Sequence, residues 1–298
     1  MAFPNIPQRT DDEMMQLILS VAQKDERIRA VIMNGSRANP NAPRDRYQDF
    51  DIVYFVKDIA PFVEDPNWLS IFGERVIMQT PEDWEIFLPY DNPWHGHHFN
   101  YLMQFMDGNR IDLTIAQPEM VKELTSDSET ILLLDKDGII PSLPDASDKD
   151  YWVKKPDENR FYGACNEFLW VSTYVAKGLA RGEVTYARTC MEEYVRDALL
   201  TLLGYYAGIR TDFSVSIGKS GKYLPKYLPP DLWEKYLDTF PDIRIENTWK
   251  ALFTMMELFG EIVTETAESL GYSFPEEDYR RVLWYLEKVK KQSEKEIS

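Results

Sequence analysis

Apolar positions along this chain keep two different periods. Near the start, Met14, Leu17, Ile18 and Val21 recur three and four residues apart, which predicts a helix over 11–24. Thr10 precedes it with Glu13 three residues on, the spacing of a capping box. A period near two then takes over. Runs rich in β-branched and aromatic residues at 28–33, 49–56, 75–79, 98–106, 110–116 and 130–134 read as strands. Asn34-Gly35-Ser36 ends the first of them in a tight turn, and Asp107-Gly108-Asn109 joins 98–106 to 110–116 as a hairpin. The polar stretch 37–48 carries Pro40 and Pro43 and is a loop. Short helices are expected over 61–69 and 118–126. Residues 141–156 concentrate Pro, Asp, Ser and Lys and mark a linker. Beyond it the period returns to 3.6, and 157–181, 184–206, 230–239, 245–270 and 276–291 predict a helical bundle, with the closing Lys-Lys-Gln-Ser-Glu-Lys as a solvated tail. There is no internal repeat. The pattern is that of an α+β chain of two domains: 1–150, built on strands with flanking helices, and 151–298, all α.

Composition agrees with two packed domains. The 298 residues are 44% hydrophobic and 28% charged, too apolar for a disordered chain. With 8 Trp, 17 Tyr and 15 Phe, the chain can fill two cores and still line a pocket with rings. Its charge narrows the function classes. Against 33 Lys and Arg stand 50 Asp and Glu, a formal charge of -17. Nonspecific nucleic-acid binding needs basic surface to displace phosphate counterions, so no nucleic-acid partner is expected and a polymerase is disfavoured. An acidic protein concentrates cations near its surface, polyamine-like substrates included, although the same charge also serves plain solubility. Cys165 and Cys190 have no metal-type spacing and form no disulfide framework, which fits a reducing cytoplasm. The first dozen residues lack the basic and apolar regions of a signal peptide, and no run of 18 apolar residues exists, so no membrane span is expected.

The chemistry concentrates in the first domain. Asp49 and Asp51 lie two apart on a predicted strand, so both carboxylates project from one face while Phe50 turns to the other. Adjacent carboxylates repel, and one tends to hold a proton unless a cation lies between them. Mg²⁺ suits that place, because it takes oxygen ligands and shares its shell with substrate phosphates. Asp112, inside Arg110-Ile-Asp-Leu-Thr on a later strand, would be a third ligand and would allow two metals, about 3.5–4 Å apart. Gly35 permits a positive φ and a close approach of backbone to phosphate, and Ser36 offers a hydroxyl and an amide. The turn would cradle the outer phosphates of a nucleotide while Asp49, Asp51 and Asp112 hold metal at the inner one. An Asp-x-Asp pair by itself is a weak signal, since solvated edge carboxylates are common. A Gly-Ser turn ending the preceding strand, with the 12 residues 37–48 between it and Asp49, raises the signal, and Asp112 on a hairpin strand raises it again.

These segments carry a resemblance. Gly35-Ser-Arg-Ala-Asn, Gln48-Asp-Phe-Asp-Ile-Val-Tyr-Phe-Val and Asn109-Arg-Ile-Asp-Leu-Thr resemble the bacterial aminoglycoside 6-adenylyltransferases (streptomycin adenylyltransferases), within the polymerase-beta-like nucleotidyltransferase superfamily. The likeness continues through Leu132-Leu-Leu-Asp-Lys-Asp, Tyr151-Trp-Val-Lys-Lys-Pro, the stretch from Cys165-Asn-Glu-Phe-Leu-Trp to Glu183, and Gly218-Lys-Ser-Gly-Lys-Tyr-Leu. It spans nearly the whole chain. It implies a mixed-sheet nucleotidyltransferase domain, a helical substrate-binding domain, ATP as co-substrate with Mg²⁺, and the 6-hydroxyl of streptomycin's streptidine ring as acceptor. The expected partners are therefore ATP and a small cationic aminoglycoside. Oligomeric state is not legible in the pattern.

In the second domain Glu167, Trp170, Tyr174 and Lys177 are spaced i, i+3, i+7 and i+10, one face of the 157–181 helix. A carboxylate, two rings and a cation in one stripe suggest a face lining the cleft between domains. Lys177 would bind triphosphate as a point charge, and Glu167 would meet the cationic antibiotic or act as general base. The competing reading makes Trp170 and Tyr174 core with the charges snorkelling at its rim. The resemblance gives Lys219 and Lys222 a phosphate-facing role; a flexible surface loop is the alternative, and the spacing is not that of a Walker motif. Glu192, beside Glu193, could accept paired hydrogen bonds from guanidinium groups, or could simply be solvated. Arg37, held by the Gly-Ser turn, is placed to brace the triphosphate; otherwise it and Arg44 and Arg46 balance acidic surface. For the base that takes the acceptor's proton, Asp112 comes first and Glu167 second. Trp94-His-Gly-His-His holds every histidine of the chain, but nothing nearby completes a tetrahedral set, so the cluster is read as surface, and the resembling family does not call for it. Rival functions are transfer to a lincosamide or other hydroxylated metabolite, and a catalytically silent binding protein on the same fold.

Overall fold

In the computed structural model, which describes residues 6–83 and 96–297, the chain divides into two compact units, Met1–Asp150 and Tyr151–Ser298. The first unit opens with α1 (Asp11–Lys24), where Thr10 and Glu13 form the capping box. Six strands follow: β1 (Ile28–Asn34), β2 (Phe50–Val56), β3 (Arg75–Gln79), β4 (His98–Phe105), β5 (Arg110–Ala116) and β6 (Thr130–Asp135). They form one sheet in the order β3-β4-β5-β2-β1-β6. β2 and β5 run parallel while the other neighbours pair antiparallel, so the sheet is mixed. Strand alternation sorts β2 onto two cores. Phe50, Ile52, Tyr54 and Val56 pack with Met14 and Ile18 of α1, and the Tyr54 hydroxyl donates to the Ile18 carbonyl at 2.6 Å. Val53 and Phe55 face the other way, onto Ala30, Ile32, Ala116 and Met120. Asp51 shares the register of this second face and stands at its end.

Two short helices are less regular than the pattern predicts. The stretch 61–69 becomes α2 (Ala60–Glu64) and a separate 3-10 turn, Pro66–Phe72. Pro66 has no amide proton to continue the first helix, and Asp65 leaves helical geometry to cap the second. In place of one helix over 118–126, a 3-10 turn at Pro118–Met120 leads into α3 (Val121–Leu124).

The second unit is all α: α4 (Glu158–Ala180), α5 (Val184–Thr189), α6 (Arg196–Arg210), α7 (Pro230–Leu237), α8 (Ile245–Leu270) and α9 (Glu276–Ile297). Its core stacks Phe168 of α4 on Phe259 of α8, ring centroids 4.4 Å apart. Two differences from the sequence reading stand out. The single helix expected over 184–206 is interrupted by a π-helical turn at Cys190–Val195. Here Glu192 ion-pairs with Arg188 one turn before it and Arg196 one turn after, and Arg196 is buried against Thr239 and the Phe240 ring. The predicted solvated tail is helical instead, since α9 runs to Ile297. It contains no Gly or Pro to stop it, Ser293 is buried, and Lys290 and Glu294 pair across one turn.

Candidate active site

The row of groups at one end of the sheet follows from strand order. Asp51 on β2 is in register with Asp112 on parallel β5, and with Asn34 on antiparallel β1. Asn34 pairs in turn with Thr130 of β6. Four neighbouring strands therefore bring Asp112, Asp51, the Gly35 turn and Glu129 into one line. Gly35 sits at φ +72, and a Cβ there would lie 2.5 Å from Asp51 Oδ2, so only glycine lets the turn and the carboxylate coexist. Its amide donates to the Glu129 carbonyl at 2.9 Å. Gln48 Nε2 donates to both the carbonyl and the hydroxyl of Ser36, each at 3.3 Å.

Electrostatics at this end are dominated by repulsion. Burial first, then Asp112 and Asp49, push the Asp51 carboxyl up to about 6. Burial and Asp112 also raise Asp49, against the pull of Arg110. Arg110 makes two parallel bonds to Asp112, both 2.8 Å, and its Nε lies 3.5 Å from Asp49 Oδ2. Oxygen donors of this hardness suit magnesium. Among the described residues, however, no three carboxylate, thiol or imidazole groups are gathered closely enough to form a ready metal cage. Asp112 is instead engaged by Arg110.

Arg37 corrects the expectation that it braces a triphosphate. It is 5% exposed, and it donates to the Asp49 carbonyl (3.0 Å), the Gln48 carbonyl (2.9 Å) and Asp11 (2.6 Å). Its guanidinium lies 3.8 Å from the Phe50 ring centroid. With its donors committed inward, it fixes the backbone that delivers Asp49.

In the second unit, Glu167, Trp170, Tyr174 and Lys177 lie on the outward stripe of α4, opposite buried Phe168, Val171, Val175 and Ala176. Trp170 is 57% exposed and donates its indole N–H to the Tyr174 hydroxyl at 2.8 Å, and Lys177 Nζ stands 4.7 Å from the Tyr174 ring centroid. Trp170 is thus exposed rather than core, whereas Tyr174 is half-buried and packs against the edge of the core. Lys219 and Lys222 are exposed on a tightly bonded turn, with Gly218, Ser220 and Gly221 all at positive φ and the Tyr223 amide closing onto the Ile217 carbonyl at 2.8 Å. Glu192 corrects the substrate-contact expectation, because its carboxylate is held by Arg188 and Arg196 inside the π-helical turn. Of the histidine cluster, His95 lies outside the described residues. His97 meets Gln117 at 2.8 Å, and His98 approaches Glu82 at 3.4 Å.

Two site residues escaped the sequence reading. Arg110 had a signal, since it lies two residues before Asp112 on a strand and must share its face. Glu129 had none. It accepts from Asn39 Nδ2 at 2.6 Å and adds to the repulsion that raises Asp51 only because β6 lies beside β1.

A mixed sheet bearing this carboxylate row beside a glycine turn defines a class of enzyme, the nucleotidyltransferases. The chain belongs to the streptomycin adenylyltransferase family, whose family model matches residues 8–289. It is similar to the aminoglycoside 6-adenylyltransferase of Bacillus subtilis (strain 168), 40% identical over 272 residues, covering 91% of this chain and 94% of that protein. The protein of that name from Campylobacter jejuni is 41% identical over 268 residues, covering 90% and 91%. A crystal structure of an aminoglycoside 6-adenyltransferase from Bacillus subtilis matches with 36% identity and a TM-score of 0.47, covering 95% of this chain and 99% of that one. Among the described residues no helix is long and apolar enough to cross a membrane.

Proposed function

We propose that this enzyme transfers AMP from ATP to the 6-hydroxyl of streptomycin, releases pyrophosphate, and so confers resistance to the antibiotic in the cytoplasm. The observation that carries the reading is Asp51 standing opposite Asp112 beside the Gly35 turn, with its carboxyl pushed to about 6 by burial and by Asp112 and Asp49. Such stored repulsion costs stability and is relieved when cations enter. Mg²⁺, two ions in our reading, would be held by Asp49, Asp51 and Asp112 and would supply charge neutralisation at the phosphates.

The chain's own residues do the rest. Gly35 lets the backbone approach phosphate closely, Ser36 receives phosphate oxygens on hydroxyl and amide, and Lys177, Lys219 and Lys222 offer positive charge to the triphosphate. Glu167, Trp170 and Tyr174 receive the cationic antibiotic, the rings covering its sugar faces and the carboxylate its guanidinium groups. As the acceptor oxygen bonds to the α-phosphorus, the bond to pyrophosphate breaks. The hydroxyl proton passes to Asp112, with Glu167 as the second candidate base. Catalysis comes chiefly from positioning and charge neutralisation. The net charge of -17 favours encounter with a polycation.

Pyrophosphate release in the presence of ATP, Mg²⁺ and a panel of aminoglycosides, a lincosamide and other hydroxylated acceptors tests this. Release with streptomycin supports the reading. Release only with a lincosamide or another hydroxylated acceptor moves the substrate, and no release with any acceptor favours a silent binding protein.

A further inference from the structure

We propose that Arg110 is a built-in counter-ion that competes with the metal for the active-site carboxylates. The inference rests on the reading of Asp49, Asp51 and Asp112 as metal ligands. Arg110 and Asp112 are two apart on β5 and project from one face, and the guanidinium grips both oxygens of Asp112 at 2.8 Å. The same group stands 3.5 Å from Asp49. It is thus the cation that balances this end of the sheet when no metal is there, and it remains protonated at any working pH.

Arg110 faces Asp49, Asp51 and Asp112, Glu129 adds further negative charge beside Asp51, and buried Arg37 offsets only Asp49, so a divalent ion is still attracted. To draw on Asp112, that ion must first break a two-pronged ion pair. The guanidinium can leave, because its side chain keeps 40% of its surface in water and it lies at the strand's first residue, beside the Asp107-Gly108-Asn109 turn. Free metal is consequently held less tightly by the wild-type protein than by the same carboxylates without Arg110. The arrangement favours metal that arrives already bound to a nucleotide over metal alone, since a guanidinium set free from a carboxylate pairs equally well with phosphate.

The test is a titration of the full chain with Mn²⁺ alone, without nucleotide, read by electron paramagnetic resonance of the free ion. R110Q is expected to bind Mn²⁺ about tenfold more tightly than wild type, on the scale of one removed charge near a protein surface. R110K keeps the charge without the fork and should fall between the two. If R110Q does not fold, as judged by circular dichroism, the comparison of R110K with wild type carries the test. Equal or weaker binding by the folded Arg110 variants, with binding still lost in D51N, overturns the competition while leaving the metal site standing. Binding that survives in D51N overturns the metal reading, and this inference with it.

Discussion

Replacing Gly35 by alanine isolates what the site demands of the chain. The new Cβ would lie 2.5 Å from Asp51 Oδ2 and 3.2 Å from its Cγ, so the carboxylate must swing away from its place opposite Asp112. The backbone at φ +72 also carries a left-handed cost of about 1–2 kcal/mol for any residue with a Cβ. Gly138 supplies the control within the same unit, because its φ is +68 and no atom lies within 4 Å of its ideal Cβ. G138A should therefore lose only the backbone cost, about 1 kcal/mol in urea unfolding, with turnover unchanged. G35A should lose a similar amount of stability but about 10²-fold or more in turnover, the scale set by misplacing a reacting group by roughly an ångström. Pyrophosphate release at saturating ATP, beside urea melts of both variants, measures the two quantities separately. G35A turning over within about twofold of wild type would refute the claim that this contact positions Asp51 for chemistry.

Three more outcomes follow from the same geometry. Asp51 has a folded-state pKa of about 6 against an ordinary 3.8, so the folded protein holds the proton longer than the unfolded one. Its contribution to stability is present below pH 4 and is lost as pH rises to about 6, by roughly 1–3 kcal/mol. D51N should flatten that decline in metal-free unfolding measured from pH 4 to 7.5 and should abolish turnover; an unaltered pH profile would contradict the assigned burial and repulsion. Glu129 clamps the turn through its carbonyl on the Gly35 amide and its carboxylate on Asn39. E129A and N39A should each raise the KM for ATP and couple by about 1–2 kcal/mol in a double-mutant cycle, whereas E129Q, still an acceptor, should retain most of the function. Because Glu192 is bound to Arg188 and Arg196, E192A should lower the melting temperature and leave the KM for streptomycin unchanged; a raised KM in a protein of wild-type stability would return Glu192 to the substrate site.

Much of this protein can be read from local pattern, because the forces involved act over a few residues. The α1 helix with its Thr10–Glu13 box, the bounds of β3 and β5, and the span of α8 follow from periodicity and capping alone. So does the pairing of Asp49 and Asp51 on one face, since alternation along a strand needs no partner. Periodicity failed where an interaction with another element overrode it. The π-helical turn at Cys190–Val195 surrounds Glu192, whose partner Arg196 is anchored on Thr239, 43 residues away in sequence. In the helical tail, Ser293 is buried where the pattern predicts a solvated end. Arg37 shows the same division: its place after the turn was legible, but a buried guanidinium stacked on Phe50 and bonded to Asp11 is a long-range arrangement. Strand order is the largest such decision. Nothing local says that β5 runs parallel beside β2, or that β6 flanks β1, yet that order alone sets Asp112 opposite Asp51 and brings Glu129 to the glycine turn. Sequence determined which side chains could carry the chemistry; the tertiary fold decided which of them meet, because contact between distant strands is settled by the packing of whole faces and not by the residues at their ends.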